Sequence, residues 1–343
     1  MAKVDLKLSI VDQSPVYGTE TEAQALQHTI ELAQKAEAWG YHRFWVTEHH
    51  GSKQVMGSSP EVLVSHLLAK TDRIRVGSGG VMLQHYSPFK VAENFNVLAS
   101  LAPGRVDLGV GRGPGGLPKS TAALRFDSKL PDAASSKPFL EKLVDLGKFL
   151  HNRLEDTHPL HGLKVSPAPP QVASLYLLGT TPSSGEMAAS LGMPYIFAMF
   201  LNSDESIMWE AVEAYRNNFI GTNGTCPEAM LALPVIVADT DDEAAGYASQ
   251  ITVVRILLES GRTFTVFSVE AAEDFGNQSG ENFTYDILQS NIINGSSATV
   301  RERLCAMQTD YQVDEIFVVT AIDDFPKRLH SYKLLSREFE LTG

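Results

Sequence analysis

Short runs rich in β-branched residues alternate with longer helix-patterned segments along nearly the whole chain. No other feature restricts the fold as much, because such an alternation packs as a parallel sheet covered by helices. The first strand is LKLSIVD (6–12); the helix after it, at 22–39, puts Leu26, Ile30 and Ala33 on one face and is stopped by Gly40. RFWVTEH (43–49) is the second strand, and its helix opens at Ser59-Pro60, with proline in the first turn, where an N–H is not needed. RIRVGSGGVML (73–83) leads into a helix over 88–101, and RVDLGVGR (105–112) into one over 137–150. In the second half LYLLG (175–179), YIFAMF (195–200) and LALPVIVAD (231–239) precede helices over 182–191, 204–219 and from 241. EIFVVT (315–320) precedes the last, from 326. Eight such pairs predict a single-domain α/β protein over residues 1–343, a closed (β/α)8 TIM barrel, with an open doubly wound sheet as runner-up.

A barrel of this kind takes about 250 residues, so about 90 of the 343 are left for insertions. They fall at 114–137, after strand four, and at 261–293, between the seventh pair and the helix leading into strand eight. Polar, glycine-bearing segments of this length on the functional rim are expected to be covering loops, the second of them a lid. Lys and Arg number 28 against 41 Asp and Glu, a net charge of −13. Nucleic acid and acidic membrane surfaces are disfavoured as partners, and a small anion would need a local cationic pocket. Cys226 and Cys305 lie far apart without metal-ligand spacing, the N-terminal segment carries charges where a signal peptide has its apolar core, and no apolar run approaches a membrane span. The expectation is a soluble cytoplasmic protein.

Barrel active sites lie at the C-terminal ends of the strands, which makes Glu48, His49 and His50 candidates; ordinary packing and solvation of the imidazoles is the alternative. A metal role is disfavoured, because strand one ends VDQSP and not in the His-x-His with which barrel hydrolases usually begin. GVGRGPGG (109–116) contains the Gly111-x-Gly113-x-x-Gly116 spacing of a dinucleotide fingerprint, but Pro114 and Pro118 keep the chain irregular where that fingerprint opens a helix. Arg112 is read instead as a fixed cation over the rim, flanked by glycines that let the backbone approach a ligand; a solvated loop charge is the alternative. In LGTTPSSGEMAASLG (178–192) Thr181 can cap a helix, with Ser183 and Glu186 as an alternative capping box. A capped helix alone binds nothing, but with Arg112 on the preceding strand of the same rim a phosphate pocket is the more economical account. Gly79-Gly80 weakens a strand that otherwise wants β-branched residues, which suggests close approach of a flat ligand or a strained peptide, or else a simple bulge.

Together the blocks GYHRFWVTEHH, PEVLVSHLLAKTDRIRVGSGGVML, PFKVAENFNVLASLAPGRVDLGVGRGPG and VSPAPPQ resemble the bacterial luciferase-like, flavin-dependent monooxygenase family, over nearly the whole chain. The resemblance implies the same barrel and FMN, bound reduced as a co-substrate. Oxygen then adds at the flavin C4a, and the peroxyflavin oxygenates a small organic substrate. It implies that His49 is the catalytic imidazole beside the ring, that Gly79 and Gly80 form the often cis peptide beneath it, and that Arg112, Thr181, Ser184 and Gly185 hold the phosphate. It also implies a homodimer joined through helices of the second and third units. Thr180 stands where luciferase has an acid and Met199 where its sixth strand has a tryptophan, so light emission is not implied. With no second nucleotide domain in view, a separate flavin reductase would deliver the cofactor. Rival readings are a deazaflavin-dependent hydride-transfer enzyme, a non-catalytic flavin-binding protein and a barrel hydrolase.

Overall fold

The computed structural model describes residues 5–125, 138–221, 224–288 and 291–342. Eight parallel strands close on one another: β1 (Lys7–Asp12), β2 (Arg43–Val46), β3 (Arg75–Met82), β4 (Val106–Gly111), β5 (Ser174–Gly179), β6 (Tyr195–Ala198), β7 (Ala229–Ala238) and, last in the chain, β12 (Glu315–Val319). β12 pairs with both β1 and β7, and β6 pairs with β7, which completes the ring of a TIM barrel. The helices α1 (Glu22–Ala38), α2 (Pro60–Lys70), α3 (Pro88–Leu101), α5 (Phe139–Leu150), α6 (Pro182–Ser190), α7 (Glu205–Asn217), α10 (Ser297–Tyr311) and α11 (Phe325–Glu338) surround it. The local signals act as expected: Thr21 and Gln24 form a capping box at the start of α1, and Gly40 follows its end at φ +82°.

Strand residues alternate between two cores. Phe44 and Val46 of β2 join the large apolar layer between strands and helices, whereas Trp45 points into the barrel with Val11, Tyr176, Met230 and Phe317. Below this aromatic layer the base of the barrel is closed by charge. Arg43 donates to Asp107 (3.1 Å), to Glu315 (3.0 Å) and to the Tyr176 hydroxyl (2.6 Å); Arg75 also pairs with Asp107, and Trp45 Nε1 donates to Asp107 at 3.0 Å. Three glycines make room for the indole. A Cβ on Gly77, Gly79 or Gly109 would lie 2.9, 3.2 or 3.1 Å from a Trp45 atom.

The insertions differ from expectation. The second is not a polar loop: it begins before residue 261 and folds as an antiparallel sheet of β8 (Val253–Leu258), β9 (Thr263–Val266) and β10 (Phe283–Leu288) packed on α9 (Val269–Ser279). It follows α8 (Asp241–Ala248), and β11 (Ile293–Ser296) then extends the barrel sheet beside the far half of β7. The first insertion contains α4 (Pro118–Leu124), and its residues 126–137 lie outside the described residues. The two insertions meet on the rim: Leu117 packs into the core of the small sheet, and Gln278 of α9 accepts from the Lys119 amide at 3.3 Å. On its other side Thr265 donates to Leu201 O, past β6, at 3.0 Å.

Candidate active site

Parallel strands present all their C-terminal ends at one rim, so the segments that follow them converge there. Past β2 the three residues of the Glu-His-His run separate. The buried Glu48 carboxylate accepts from His50 Nε2 (2.7 Å), Tyr86 Oη (2.8 Å) and the Met82 amide (3.0 Å), tying the end of β2 to the end of β3. His49 is left to the site. Its amide donates to Gly57 O (2.6 Å), its Nδ1 lies 3.0 Å from Thr47 Oγ1, and its Nε2 has no partner among the described residues. Burial lowers the His49 pKa to about 4 against the opposing pull of Glu48, so the imidazole is neutral near pH 7.

The Gly79–Gly80 peptide is cis, and the pairing of β3 with β4 shifts register between Gly79 and Val81. Both glycines are required by the protein itself: the absent Cβ of Gly79 faces Trp45, and that of Gly80 would lie 2.6 Å from Gly109 O on the neighbouring strand. The glycine run after β4 is likewise packed. His50 donates to Gly115 O at 2.7 Å and forms a parallel bridge with Gly116, whose Cβ would fall 2.3 Å from His50 O. These two glycines serve the contact between rim segments, where the sequence reading gave the run to a ligand. No helix opens at Gly116 as a dinucleotide fingerprint would need; α4 starts at Pro118 and is seven residues long.

Arg112, just past β4, is exposed and has no polar partner among the described residues. β4 and β5 are adjacent, so the start of α6 is its neighbour on the rim. There Thr181, and not the Ser183–Glu186 alternative, closes a capping box with Ser184. The Ser184 hydroxyl is consumed in this turn: it donates to Thr181 O (2.6 Å) and lies 2.9 Å from Tyr195 Oη. The exposed hydroxyls of Thr181 and Ser183 sit 3.0 Å apart beside the helix start. Gly185 is buried toward α7, where a Cβ would meet Ala211 O at 2.3 Å. Met199 is fully enclosed in the layer between strands and helices, away from the barrel interior. Sequence reasoning missed Thr47 and Tyr86. The period of two along β2 carries a signal for Thr47, since it puts Arg43, Trp45, Thr47 and His49 on one side; Tyr86 has no local signal at all.

The barrel carries an imidazole just past β2, a glycine pair on β3 and, past β4, a guanidinium without a polar partner among the described residues, and the comparisons give its family. The family model described as luciferase-like monooxygenase matches residues 6–311. The chain is 40% identical over 331 residues to an N-acetyl-S-alkylcysteine monooxygenase of Bacillus subtilis (strain 168), covering 96% of this chain and 97% of that one. It is 30% identical to a luciferase-like monooxygenase of Escherichia coli (strain K12), over 97% of each. The solved structure of apo-MsnO8 superposes with a TM-score of 0.78 at 36% identity, covering 98% of both chains. The chain therefore belongs to the luciferase-like monooxygenase family and is an enzyme of the monooxygenase class. No described helix is long and apolar enough to cross a membrane.

Proposed function

We propose that this enzyme, a single barrel domain over residues 1–343, uses reduced FMN and molecular oxygen to oxygenate a small organic substrate. The observation that carries the reading is that Arg112, without a polar partner among the described residues, follows β4, and the adjacent β5 leads into the capped start of α6. Together they offer a phosphomonoester a full positive charge, two exposed hydroxyls and the positive end of a helix. Thr180 adds no carboxylate that would repel it. Thr181 and Ser183 contact the phosphate, while Ser184 and Gly185 shape the turn that presents them. The mouth between this corner and His49 suits a flat ring, since the Gly79–Gly80 segment carries no side chain and rests on Trp45.

When bound, reduced flavin supplies the two electrons with which one oxygen atom enters the substrate and the other leaves as water. The chain's own residues do the rest. His49, a neutral imidazole just past β2, would offer a hydrogen bond to that oxygen chemistry. Glu48, His50 and Tyr86 hold the rim that carries it, and the sheet of β8, β9 and β10 with α9 covers the mouth against water. A separate reductase, in the cytoplasm, renews the reduced cofactor. Two copies pair through α2 and α3, where Val62, Val97 and Leu101 are 66%, 43% and 72% exposed. The B. subtilis relative makes S-alkylated cysteine derivatives the first substrate class to assay.

Anaerobic titration with reduced FMN tests the reading. Arg112→Ala is expected to weaken binding by about tenfold or more while leaving the melting temperature unchanged, because the side chain is exposed and makes no hydrogen bond or ion pair among the described residues. Equal affinity in the variant would refute the phosphate corner. Tight binding of a deazaflavin by a wild-type protein that ignores FMN would select the hydride-transfer alternative.

A further inference from the structure

The inward positions of β2 continue past its last paired residue, so Thr47 and His49 share a side with Trp45 and Arg43. Thr47 is 3% exposed, and its Oγ1 lies 3.0 Å from His49 Nδ1. No other hydrogen bond reaches this hydroxyl among the described residues. A buried hydroxyl has one hydrogen to place, and Nδ1 is the acceptor available to it. Were Nδ1 protonated, it would donate to Oγ1 and leave the hydroxyl hydrogen enclosed without an acceptor. Thr47 therefore donates, Nδ1 is bare, and Nε2 carries the ring's hydrogen. The carboxylate that most often orients a histidine is not in play, because Glu48 is committed to His50, Tyr86 and the Met82 amide.

We propose that Thr47 is a positioning residue: it fixes His49 as the Nε2–H tautomer, so that the imidazole offers a hydrogen bond to an acceptor atom held at the barrel mouth. His49 then acts as a hydrogen-bond donor through Nε2, and not as a base that withdraws a proton through that nitrogen. The identity of the acceptor, an oxygen atom in the flavin reaction, rests on the function proposed above. The tautomer does not.

The test is long-range proton–nitrogen correlation NMR on the cofactor-free protein labelled with [15N]histidine, the His49 signals being identified by their loss in His49→Gln. The wild type is expected to show a protonated Nε2 and a bare Nδ1. Thr47→Val keeps the shape, removes the hydroxyl and is expected to shift protonation toward Nδ1; Thr47→Ser restores the wild-type pattern. Should the valine variant not fold, Thr47→Ala removes the same hydroxyl. With reduced FMN and oxygen, the valine variant should oxidise the flavin and release hydrogen peroxide severalfold faster at unchanged FMN affinity, and the serine variant should not. A protonated Nδ1 in the wild type, or a tautomer indifferent to Thr47→Val, would overturn the proposal. Failure of the wild type to bind FMN would instead sink the functional reading and leave the NMR result to be judged alone.

Discussion

Asp107→Asn is isosteric, and the base of the barrel allows the amide no acceptable orientation. Asp107 is fully buried; its Oδ2 accepts from Arg43 Nη1 (3.1 Å) and Trp45 Nε1 (3.0 Å), and its Oδ1 from Arg75. All three partners are donors only. An NH2 placed at Oδ2 confronts Arg43 and Trp45, and one placed at Oδ1 confronts Arg75. The substitution also leaves Arg75 without its carboxylate, while Arg43 keeps only that of Glu315. Breaking a buried pair from one side costs about 3–5 kcal/mol. With an unfolding entropy of about 2.1 cal/mol/K per residue over 343 residues, the loss corresponds to about 4–7 °C in melting temperature. Differential scanning calorimetry and urea unfolding measure it. Glu93→Gln is the control, since its partner Lys90 is largely exposed and the pair contributes under about 1 kcal/mol. Adding Arg75→Met to Asp107→Asn should cost less than the two singles together, because the methionine removes the stranded charge. A variant that melts with the wild type, or strictly additive losses, would refute the reasoning.

Gly109→Ala places a Cβ 2.3 Å from Ser78 O and 2.8 Å from Leu178 Cδ1, and is expected to cost about 1–3 kcal/mol in urea unfolding. Gly111→Ala, whose nearest neighbour is the Met82 sulfur at 3.7 Å, should stay within about 0.5 kcal/mol; equal losses at the two sites would contradict the packing account. Stability should also rise with pH between about 4 and 6.5. His49 is held near 4 by burial, and His42 near 4 by burial together with Arg43, Lys7 and Arg75, so in this window the unfolded chain binds more protons than the folded one. Above it both states are neutral and this contribution is flat. Melting temperatures measured across the window should show a shallower slope in His49→Gln, and an unchanged slope would argue against a buried neutral imidazole.

The eight barrel units were legible because each strand is short, apolar and followed by an amphipathic run; α3 spans the same residues that periodicity assigns, 88–101. The small sheet was not. β10 has four exposed residues in six, and β9 is part-exposed throughout, so both read as polar loop until their pairing with β8 is known. The place of His49 just past the end of β2 was legible from the sequence, since the apolar run of the strand RFWV ends there. The reason for Gly79 was only half legible, since a ligand above can be imagined from one strand but the indole below belongs to another. The ionic base was out of reach, because Arg43 finds its acids 64 and 272 positions away.

The same arrangement decides where an anion can bind to a chain of net charge −13. Two guanidinium groups lie in the barrel interior, but Asp107 and Glu315 match them one for one, and Trp45, Tyr176 and Phe317 form an apolar layer above. The base therefore projects little net field toward the mouth. At physiological ionic strength surface charges fade over about 8 Å, so the acidic exterior does not settle the matter either. What remains is local: Glu48 is spent on His50 and Tyr86, while Arg112 has no polar partner among the described residues and follows β4, whose neighbour β5 leads into α6. In the function proposed above a phosphate would be drawn to that corner, because among the described residues Asp107, Glu315 and Glu48 are answered within the fold and Arg112 is not.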